Sequence, residues 1–197
     1  MNESKRSKKI SKILNKIYPK TPIPLKHRNK FTLLVSVLLS AQTTDVNVNN
    51  VTKNIYPKFN KPKHFVKLGR KKIEKLIKSL GIFRMKAKSI YYLSKQLIEN
   101  HRGKVPQTFE ELEKLPGVGH KTASVVMSQG FGQQAFPVET HIHRLAQRWG
   151  LTNGKNVIQT EMDLKRLFPR KYWNKLHLQI IYYGREKCKA RECYGLT

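Results

Sequence analysis

Apolar residues recur along most of the chain at the spacing of helices. One stripe runs from Leu33 to Ala41, a second from Val48 to Phe59, a third from Ile73 to Leu80 and a fourth from Ala87 to Leu97. Residues three and four positions apart share one face of a helix, so each stripe predicts a helix with a buried side. Sustained alternation of period two is missing from the sequence, and the predicted fold class is therefore all-α.

Small polar residues and glycines indicate where helices begin and end. Gly81 is expected to end the third helix as its C-cap. Thr108, with Glu111 three residues later, forms the capping-box pattern that starts a short helix. Another helix is predicted from about residue 121 to residue 129. Three further helices are predicted to start near Thr140, Val157 and Tyr172.

The chain carries a large surplus of positive charge. Forty Lys and Arg residues face twelve Asp and Glu residues, which gives a formal net charge of +28 over 197 residues. The surplus is spread along the whole chain, attracts polyanions and favours a nucleic-acid partner. On composition alone, a solvated lysine-rich surface stays open as the alternative. An anionic membrane is the competing partner, but no basic stretch carries the strong apolar face of an interfacial helix.

Targeting signals are not apparent in the sequence. No segment reaches the roughly 18 apolar residues of a membrane span. The basic N-terminus, from Met1 to Tyr18, lacks the apolar run and cleavage site of a signal peptide. We therefore expect a cytoplasmic protein without a membrane partner.

Residues 115–123, LPGVGHKTA, carry the strongest local signal. Gly117 and Gly119 predict a tight turn between two helices, and they would let the backbone approach another surface closely. The second helix begins with free amide groups and the positive end of its dipole, a combination that binds phosphate. We therefore expect Gly117, Val118, Gly119 and His120 to contact a nucleic-acid backbone.

Lys121 lies in the first turn of that second helix. A cation is electrostatically disfavoured there, because the helix dipole favours anions at this end. The residues alone leave two interpretations open, a lysine that contacts phosphate and an amine nucleophile. The position suits a nucleophile better than a structural residue.

Further segments extend the pattern beyond the hairpin. VETHIHR at 138–144 supplies an acid, Glu139, eighteen residues after Lys121, while LLSAQTTD at 38–45 and LGIFRMKA at 80–87 complete the set. Together these segments resemble the helix-hairpin-helix DNA glycosylases of the endonuclease III type. The resemblance runs from about Asn29 to Arg185, with the motifs in the family's order.

The resemblance implies a fold of two helical lobes. A six-helix barrel containing the hairpin would span residues 22–134, and residues 1–21 with 135–197 would form the second lobe. The implied partner is double-stranded DNA with damaged or abasic sites, bound by a monomer. Oxidised pyrimidines are the lesions that the resemblance suggests.

The resemblance also implies roles for individual residues. Lys121 would attack C1′ of the damaged nucleotide and form a Schiff base, and β-elimination would then break the strand. Glu139 would handle protons or stabilise positive charge on the sugar. Gln42 and Ile82 would fill the space that an extruded nucleotide leaves in the duplex. His141 matches a position near the DNA backbone, and a structural hydrogen bond at the helix start is the alternative for it.

Two departures from the family pattern alter these expectations. Position 139 is usually aspartate, so we expect Glu139 to support activity at a lower rate. Many members also carry four cysteines spaced C-x₆-C-x₂-C-x₅-C around a 4Fe–4S cluster, whereas this sequence has only Cys188 and Cys193. We therefore expect no cluster and no other cofactor. Both thiols are expected to be free, and the C-terminal loop to be held by packing alone, through Tyr194 and Leu196.

Two other functions compete with the glycosylase and lyase. One is a DNA-binding protein on the same scaffold that has lost the chemistry, which Glu139 and the short cysteine pattern would favour. The other is a glycosylase that uses water as its nucleophile. Lys121 counts against the second, because that route needs no amine.

Overall fold

The computed structural model describes residues 2–191. Its described residues form ten α-helices without a strand, which confirms the all-α prediction. A π-helical turn at Val126–Gly130 continues the seventh helix, and a 3₁₀ turn at Arg170–Tyr172 precedes the tenth. The helices are α1 (Glu3–Ile17), α2 (Lys30–Leu39), α3 (Asp45–Ile55), α4 (Pro62–Leu76), α5 (Phe83–His101), α6 (Phe109–Glu113), α7 (His120–Val125), α8 (Thr140–Arg148), α9 (Val157–Leu167) and α10 (Trp173–Glu186). Helix α4 consists of two helical segments joined by a kink at Gly69, whose φ of 73° and ψ of 157° are not helical.

The chain divides into two compact units. The six-helix unit is Pro24–Phe131 and contains α2 to α7. The second unit joins Met1–Ile23 to Gly132–Thr197, of which residues 2–23 and 132–191 are described, and contains α1, α8, α9 and α10. The described helices thus make a six-helix lobe with a hairpin and a lobe built from both ends of the chain. The family resemblance puts the corresponding lobe boundaries at 22 and 134.

Helix α2 is the central helix of the six-helix unit. Every residue from Phe31 to Leu39 is buried, as expected of a helix that is apolar on all sides. Asn29 caps the start of α2, because its side-chain oxygen accepts from the Thr32 amide. In return, the Thr32 hydroxyl oxygen accepts from the Asn29 amide. Because α2 is fixed by packing on every side, it holds the loop that follows Ser40, where Gln42 lies.

The loop between α4 and α5 differs from the prediction. Helix α4 ends at Leu76, with Ile77 as its C-cap, so Gly81 is not the cap. Leu80 is buried although it lies in the loop, and its burial explains why it continues the apolar stripe of the helix. The following helix starts at Phe83, directly after Ile82.

The second unit is built around a separate apolar core. Ile10 and Leu14 of α1 are buried in one cluster with residues of α8 and α10, among them Leu145 and Ile180. Gln179 of α10 donates to the carbonyl oxygens of Leu14 and Tyr18, at 3.3 and 2.9 Å. The N-terminal helix is therefore fixed to α10 by both packing and hydrogen bonds.

Two arginines of α8 fasten the turn that follows α10. Arg144 donates to the carbonyl oxygen of Cys188 at 2.7 Å. Arg148 donates to the carbonyl oxygens of Lys189 and Ala190, at 3.0 and 2.7 Å. The expectation that packing alone holds this loop is therefore wrong, since backbone carbonyls left over after a helix end need donors. Tyr194 and Leu196, its expected anchors, lie outside the described residues.

Cys188 is not a free thiol. It is fully buried and disulfide-bonded, and its Sγ also accepts from Arg148 at 3.3 Å. The expectation of a free thiol considered only the redox state of the compartment. Cys193, the other cysteine, lies outside the described residues.

Candidate nucleic-acid interface and catalytic residues

The hairpin formed by α6 and α7 is anchored by its apolar side chains. Thr108 is the N-cap of α6 and accepts from the Glu111 amide at 3.2 Å, as predicted, while the Glu111 carboxylate accepts from the Thr108 hydroxyl at 2.9 Å and not from its amide as in a capping box. Leu115 and Val118 are buried, and the Val118 amide donates to the Leu115 carbonyl at 3.0 Å. The side chain and the amide of Val118 therefore both stabilise the turn, and its expected contact with DNA stays a prediction.

The two hairpin glycines have different reasons for being glycine. Gly117 has φ 79°, and a Cβ there would stand 2.6 Å from Ser89 Oγ and 3.2 Å from Leu38 Cδ1. Gly119 has φ −95° and ψ 176°, extended backbone that any residue adopts, and a Cβ there would meet nothing within 4 Å. The expectation of a special conformation is therefore right for Gly117 and wrong for Gly119. The fold does not require Gly119 to lack a side chain.

The start of α7 is left open towards solvent. Gly119 is the N-cap and supplies no side-chain acceptor to the first amides of the helix. His120 stacks on Phe109, with ring centroids 5.6 Å apart, and its Nδ1 lies 2.8 Å from Oε1 of Glu113. The imidazole thus ties α7 to α6, while the helix start keeps amide groups that suit an anion.

Lys121 is exposed in the first turn of α7. Its side chain makes no hydrogen bond or ion pair with any described residue. The acids on α6 are engaged elsewhere, since Glu113 pairs with His120 and Glu110 with Lys114. A cation at the positive end of a helix without a partner is unfavourable for the fold. This cost indicates that the amine serves to contact a ligand and not to stabilise the folded chain.

Gln42 and Ile82 both have strained backbones. Among the described residues only three non-glycine residues have positive φ, and two of them are Gln42 (54°) and Ile82 (49°). The left-handed region costs an ordinary residue about 1–2 kcal/mol, and a β-branched residue is rare there. Gln42 is exposed, and half of the Ile82 surface is accessible. Exposed strain of this kind is typical of functional loops.

Lys86 joins the two strained loops and is a residue that the sequence analysis missed. It is almost completely buried, and its ammonium donates to Oγ1 of Thr43 at 3.0 Å, next to Gln42. Its amide also donates to the carbonyl of Ile82 at 3.1 Å. Burial lowers the pKa of the Lys86 ammonium. A buried lysine is uncommon enough to mark a site, but the apolar periodicity of α5 gave no signal for it.

In the second unit, Glu139 is the N-cap of α8. Its Oε1 accepts from the amides of His141 and Ile142, at 2.9 and 3.3 Å. Thr140, near which this helix was predicted to start, is its first residue. The carboxylate is therefore fixed by the helix start rather than free to swing, since capping bonds satisfy amides that have no other partner.

His141 holds the same carboxylate from its other side. Its Nδ1 lies 2.8 Å from Oε2 of Glu139. Gly184 of α10 packs directly beneath it, because a Cβ on Gly184 would stand 3.1 Å from the His141 Cβ and 3.3 Å from its Cδ2. The structure thus gives His141 the structural hydrogen bond that was one of its two interpretations.

No metal site appears among residues 2–191. They contain no group of three or more His, Cys, Asp and Glu side chains that could hold a metal ion. The same described residues contain no helix long and apolar enough to cross a membrane.

Comparisons with known proteins agree with these features. Residues 35–170 match the model of the HhH-GPD superfamily base excision DNA repair proteins. Endonuclease III of Bacillus subtilis (strain 168) is 43% identical over 188 residues, covering 93% of this chain and 86% of the relative. Endonuclease III of Escherichia coli (strain K12) is 39% identical, covering 98% and 90%.

Solved structures give the same result. A non-covalent endonuclease III–DNA complex aligns with a TM-score of 0.94 at 37% identity, covering 98% of this chain and 91% of the other. A trapped endonuclease III–DNA covalent intermediate aligns with a TM-score of 0.90 at 38% identity, covering 95% and 90%. This chain therefore belongs to the HhH-GPD superfamily of base excision DNA repair proteins, as a DNA glycosylase and abasic-site lyase of the endonuclease III type.

Proposed function

We propose that this protein removes damaged bases from double-stranded DNA and cleaves the resulting abasic site, with Lys121 as its nucleophile. The observation that carries the assignment is an exposed, unpaired amine at the open start of α7, beside a hairpin that suits phosphate. A relative with 38% identity has been captured as a covalent intermediate with DNA, which supports a covalent route. We expect a cytoplasmic monomer that prefers oxidised pyrimidines.

The chemistry proceeds through covalent intermediates on Lys121. Neutral Nζ of Lys121 attacks C1′ of the nucleotide, and the bond from C1′ to the base breaks, with the electron pair leaving on the base, which takes up a proton. Opening of the sugar ring gives a Schiff base between Nζ and C1′. Loss of a C2′ proton then expels the 3′ phosphate and breaks the strand, and hydrolysis of the imine restores the lysine.

Glu139 acts mainly through its charge. Its oxygens already accept two amides and face the His141 imidazole, so few lone pairs are left to collect a proton. A fixed carboxylate can still stabilise the positive charge that develops on the sugar as the base leaves. His141 is then a positioning residue, because it acts on the carboxylate and not on the substrate.

Gln42 and Ile82 are the residues that enter the duplex. A reacting nucleotide has to leave the base stack, and an apolar wedge with a polar partner can occupy the vacated space. Lys86 lies in the first turn of α5, four residues after Ile82, and its side chain links this helix start to the loop of Gln42 through its bond to Thr43. Their strained conformations are thereby fixed before DNA binds, which lowers the cost of ordering them.

The competing functions have less support. A DNA-binding protein without chemistry would leave the disfavoured position of Lys121 unexplained. A glycosylase that uses water has the same difficulty. Loss of the usual aspartate does not remove the acid, since Glu139 still presents a carboxylate at the start of α8.

The residues of this chain do not suit a 4Fe–4S cluster. Such a cluster needs four thiolates or a special set with histidine, and the 197 residues include two cysteines. Cys188 is buried and disulfide-bonded, and its sulfur accepts a hydrogen bond from Arg148. We propose that the guanidinium groups of Arg144 and Arg148, hydrogen-bonded to carbonyl oxygens, hold the turn after α10 in place of a cluster.

Replacing Lys121 tests the nucleophile. Lys121→Ala should abolish borohydride trapping on abasic DNA, lowering it by about a thousandfold or more, because no amine remains to form the imine. Duplex affinity should change little, since the variant loses one cation of forty. Lys114→Ala, an exposed lysine of the same hairpin, is the matched control and should trap normally. Trapping by Lys121→Ala at the wild-type rate would assign the reaction to another amine.

The hairpin glycines separate stability from binding. Gly117→Ala should lower the free energy of unfolding by about 1–3 kcal/mol, because of its positive φ and the collision with Ser89. Gly119→Ser should leave that free energy within about 1 kcal/mol, since serine is a good N-cap. It should nevertheless weaken binding to an abasic duplex, because its side chain occupies the place of the phosphate. Unchanged affinity of Gly119→Ser would remove the start of α7 from the interface.

Variants at Glu139 test the carboxylate. Glu139→Gln keeps an oxygen that can accept the two amides but loses the charge, so single-turnover base release should fall by about a hundredfold. Glu139→Asp should release the base faster than wild type, because aspartate is the better N-cap and needs no folded-back side chain. Duplex affinity should stay nearly constant in both. Base release by Glu139→Gln at the wild-type rate would leave the carboxylate without a catalytic role.

Iron analysis tests the absence of a cluster. The purified protein should show no visible absorption band and no stoichiometric iron, and treatment with a chelator should leave incision unchanged. One cluster of iron per chain would overturn this assignment without touching the role of Lys121.

A further inference from the structure

A second basic surface lies in the six-helix unit, away from the loops discussed so far. It is a groove of about 890 Å³ between the start of α2, the start of α4 and the end of α5. No acidic residue lines it. We refer to it as the basic groove, and the five cations around it are Lys30, Lys61, Lys63, Arg102 and Lys104.

The basic groove is at the opposite end of the helices from Gln42 and Ile82. Helix α5 starts after Ile82 and ends at His101, directly before Arg102, and its 19 residues span about 28 Å. Helix α2 likewise runs from the groove, at Asn29, towards Gln42, over 10 residues or about 15 Å. The groove is therefore separate from the edge of the unit that we assign to DNA.

The floor of the basic groove is apolar. Phe31, Pro62 and Val105 are buried there, and Ile98 keeps 41% of its surface accessible at the rim. The volume falls within the range of about 300–1,000 Å³ in which proteins bind ligands and small segments. A ligand that fits this lining needs negative charge for the rim and apolar groups for the floor.

The backbone of the groove is also strained. Arg102 is the third non-glycine residue with positive φ, at 53°. Arg102 directly follows α5, where glycine is the usual residue. An arginine in this left-handed conformation costs about 1–2 kcal/mol compared with glycine. The fold thus keeps an arginine at the rim in a position where a glycine would be more stable.

We propose that the basic groove binds an acidic peptide segment of another protein, one that carries apolar side chains. A second copy of this chain is a poor occupant, because each copy carries a net charge of +28. Single-stranded nucleic acid is the other polyanion, but it gains most from stacking on open aromatic faces. The groove's accessible aromatic ring, Phe131, already has the ammonium of Lys30 over one face, 4.2 Å from its centroid. An apolar floor with a cationic rim matches the alternating chemistry of the peptide better.

The test uses a short fluorescent peptide that alternates aspartate with leucine. Its binding to the full chain is measured by anisotropy, with the DNA surface saturated by a duplex that carries a tetrahydrofuran abasic analogue, which cannot form a Schiff base and is not cleaved. We expect binding that is lost when serine replaces the leucines, and also when asparagine replaces the aspartates. Either replacement without effect would overturn the proposal, since both chemistries are required.

Matched charge reversals locate the site. Lys63→Glu with Lys104→Glu should weaken peptide binding by about tenfold or more, because attraction at the rim becomes repulsion. The control pair, Lys53→Glu with Lys71→Glu, lowers the net charge by the same amount at exposed positions outside the groove. This pair should weaken peptide binding by less than about twofold. Abasic-site incision should fall equally in the two pairs. If both pairs weakened peptide binding equally, the peptide would be attracted only by the net charge of the protein, and the proposal would be overturned.

Two further measurements complete the test. Ile98→Ser removes an accessible apolar side chain without changing charge or core, and should weaken the peptide several-fold even if a double variant folds poorly. An unlabelled oligothymidylate serves as competitor. If it displaces the peptide and binds the groove more tightly, with the same dependence on Lys63 and Lys104, the groove is a single-strand site and the peptide proposal fails. Loss of the proposed lyase function would leave this result unaffected.

Discussion

The unpaired amide groups at two helix starts determine how this molecule presents its chemistry. Every helix leaves its first amides without an intrahelical acceptor, and α7 and α8 meet that constraint in opposite ways. At α7 the N-cap is Gly119, which offers no side chain, so the amides stay available to a phosphate. At α8 the N-cap is Glu139, whose carboxylate fills the same role from within the chain. One helix start is open to substrate, and the other fixes a charged group.

The hairpin is held rigidly by its side chains, while the start of α7 stays accessible. His120 could have been a mobile basic contact, yet it stacks on Phe109 and pairs with Glu113. Val118 is buried beneath the turn. Lys121, with no partner in the described chain, is thus carried on a well-anchored support, and a nucleophile held in place loses less entropy on reaching the reactive geometry.

Sequence patterns predicted most of the fold and the identity of the hairpin, but not how individual side chains are used. Helical periodicity and the LPGVGHKTA segment are local signals, and both survive in the structure. The different reasons for Gly117 and Gly119 depend on Ser89 and Leu38, which are distant in sequence. Lys86 was missed for the same reason, since its burial against Thr43 is a tertiary contact. The capping role of Glu139 was not predicted either, and the cap predicted at Gly81 was wrong.

The scarcity of acidic residues gives the few that exist a structural meaning. Three of the twelve lie on the five-residue helix α6, where Glu110 pairs with Lys114, Glu111 with Thr108, and Glu113 with His120. Glu139 caps α8. These four acids hold a helix end, a hairpin lysine or an imidazole, and others, such as Glu74 and Glu161, pair with a basic residue of their own helix. Little negative charge is left to balance the rest of the surface. The uncompensated cations repel one another in the compact state. A bound polyanion relieves that repulsion, which is strongest where folding brings the cations close together, so it favours the compact state over the unfolded chain. The same charge that draws the protein to DNA thus makes the stability of its folded state rise when a polyanion or salt is added.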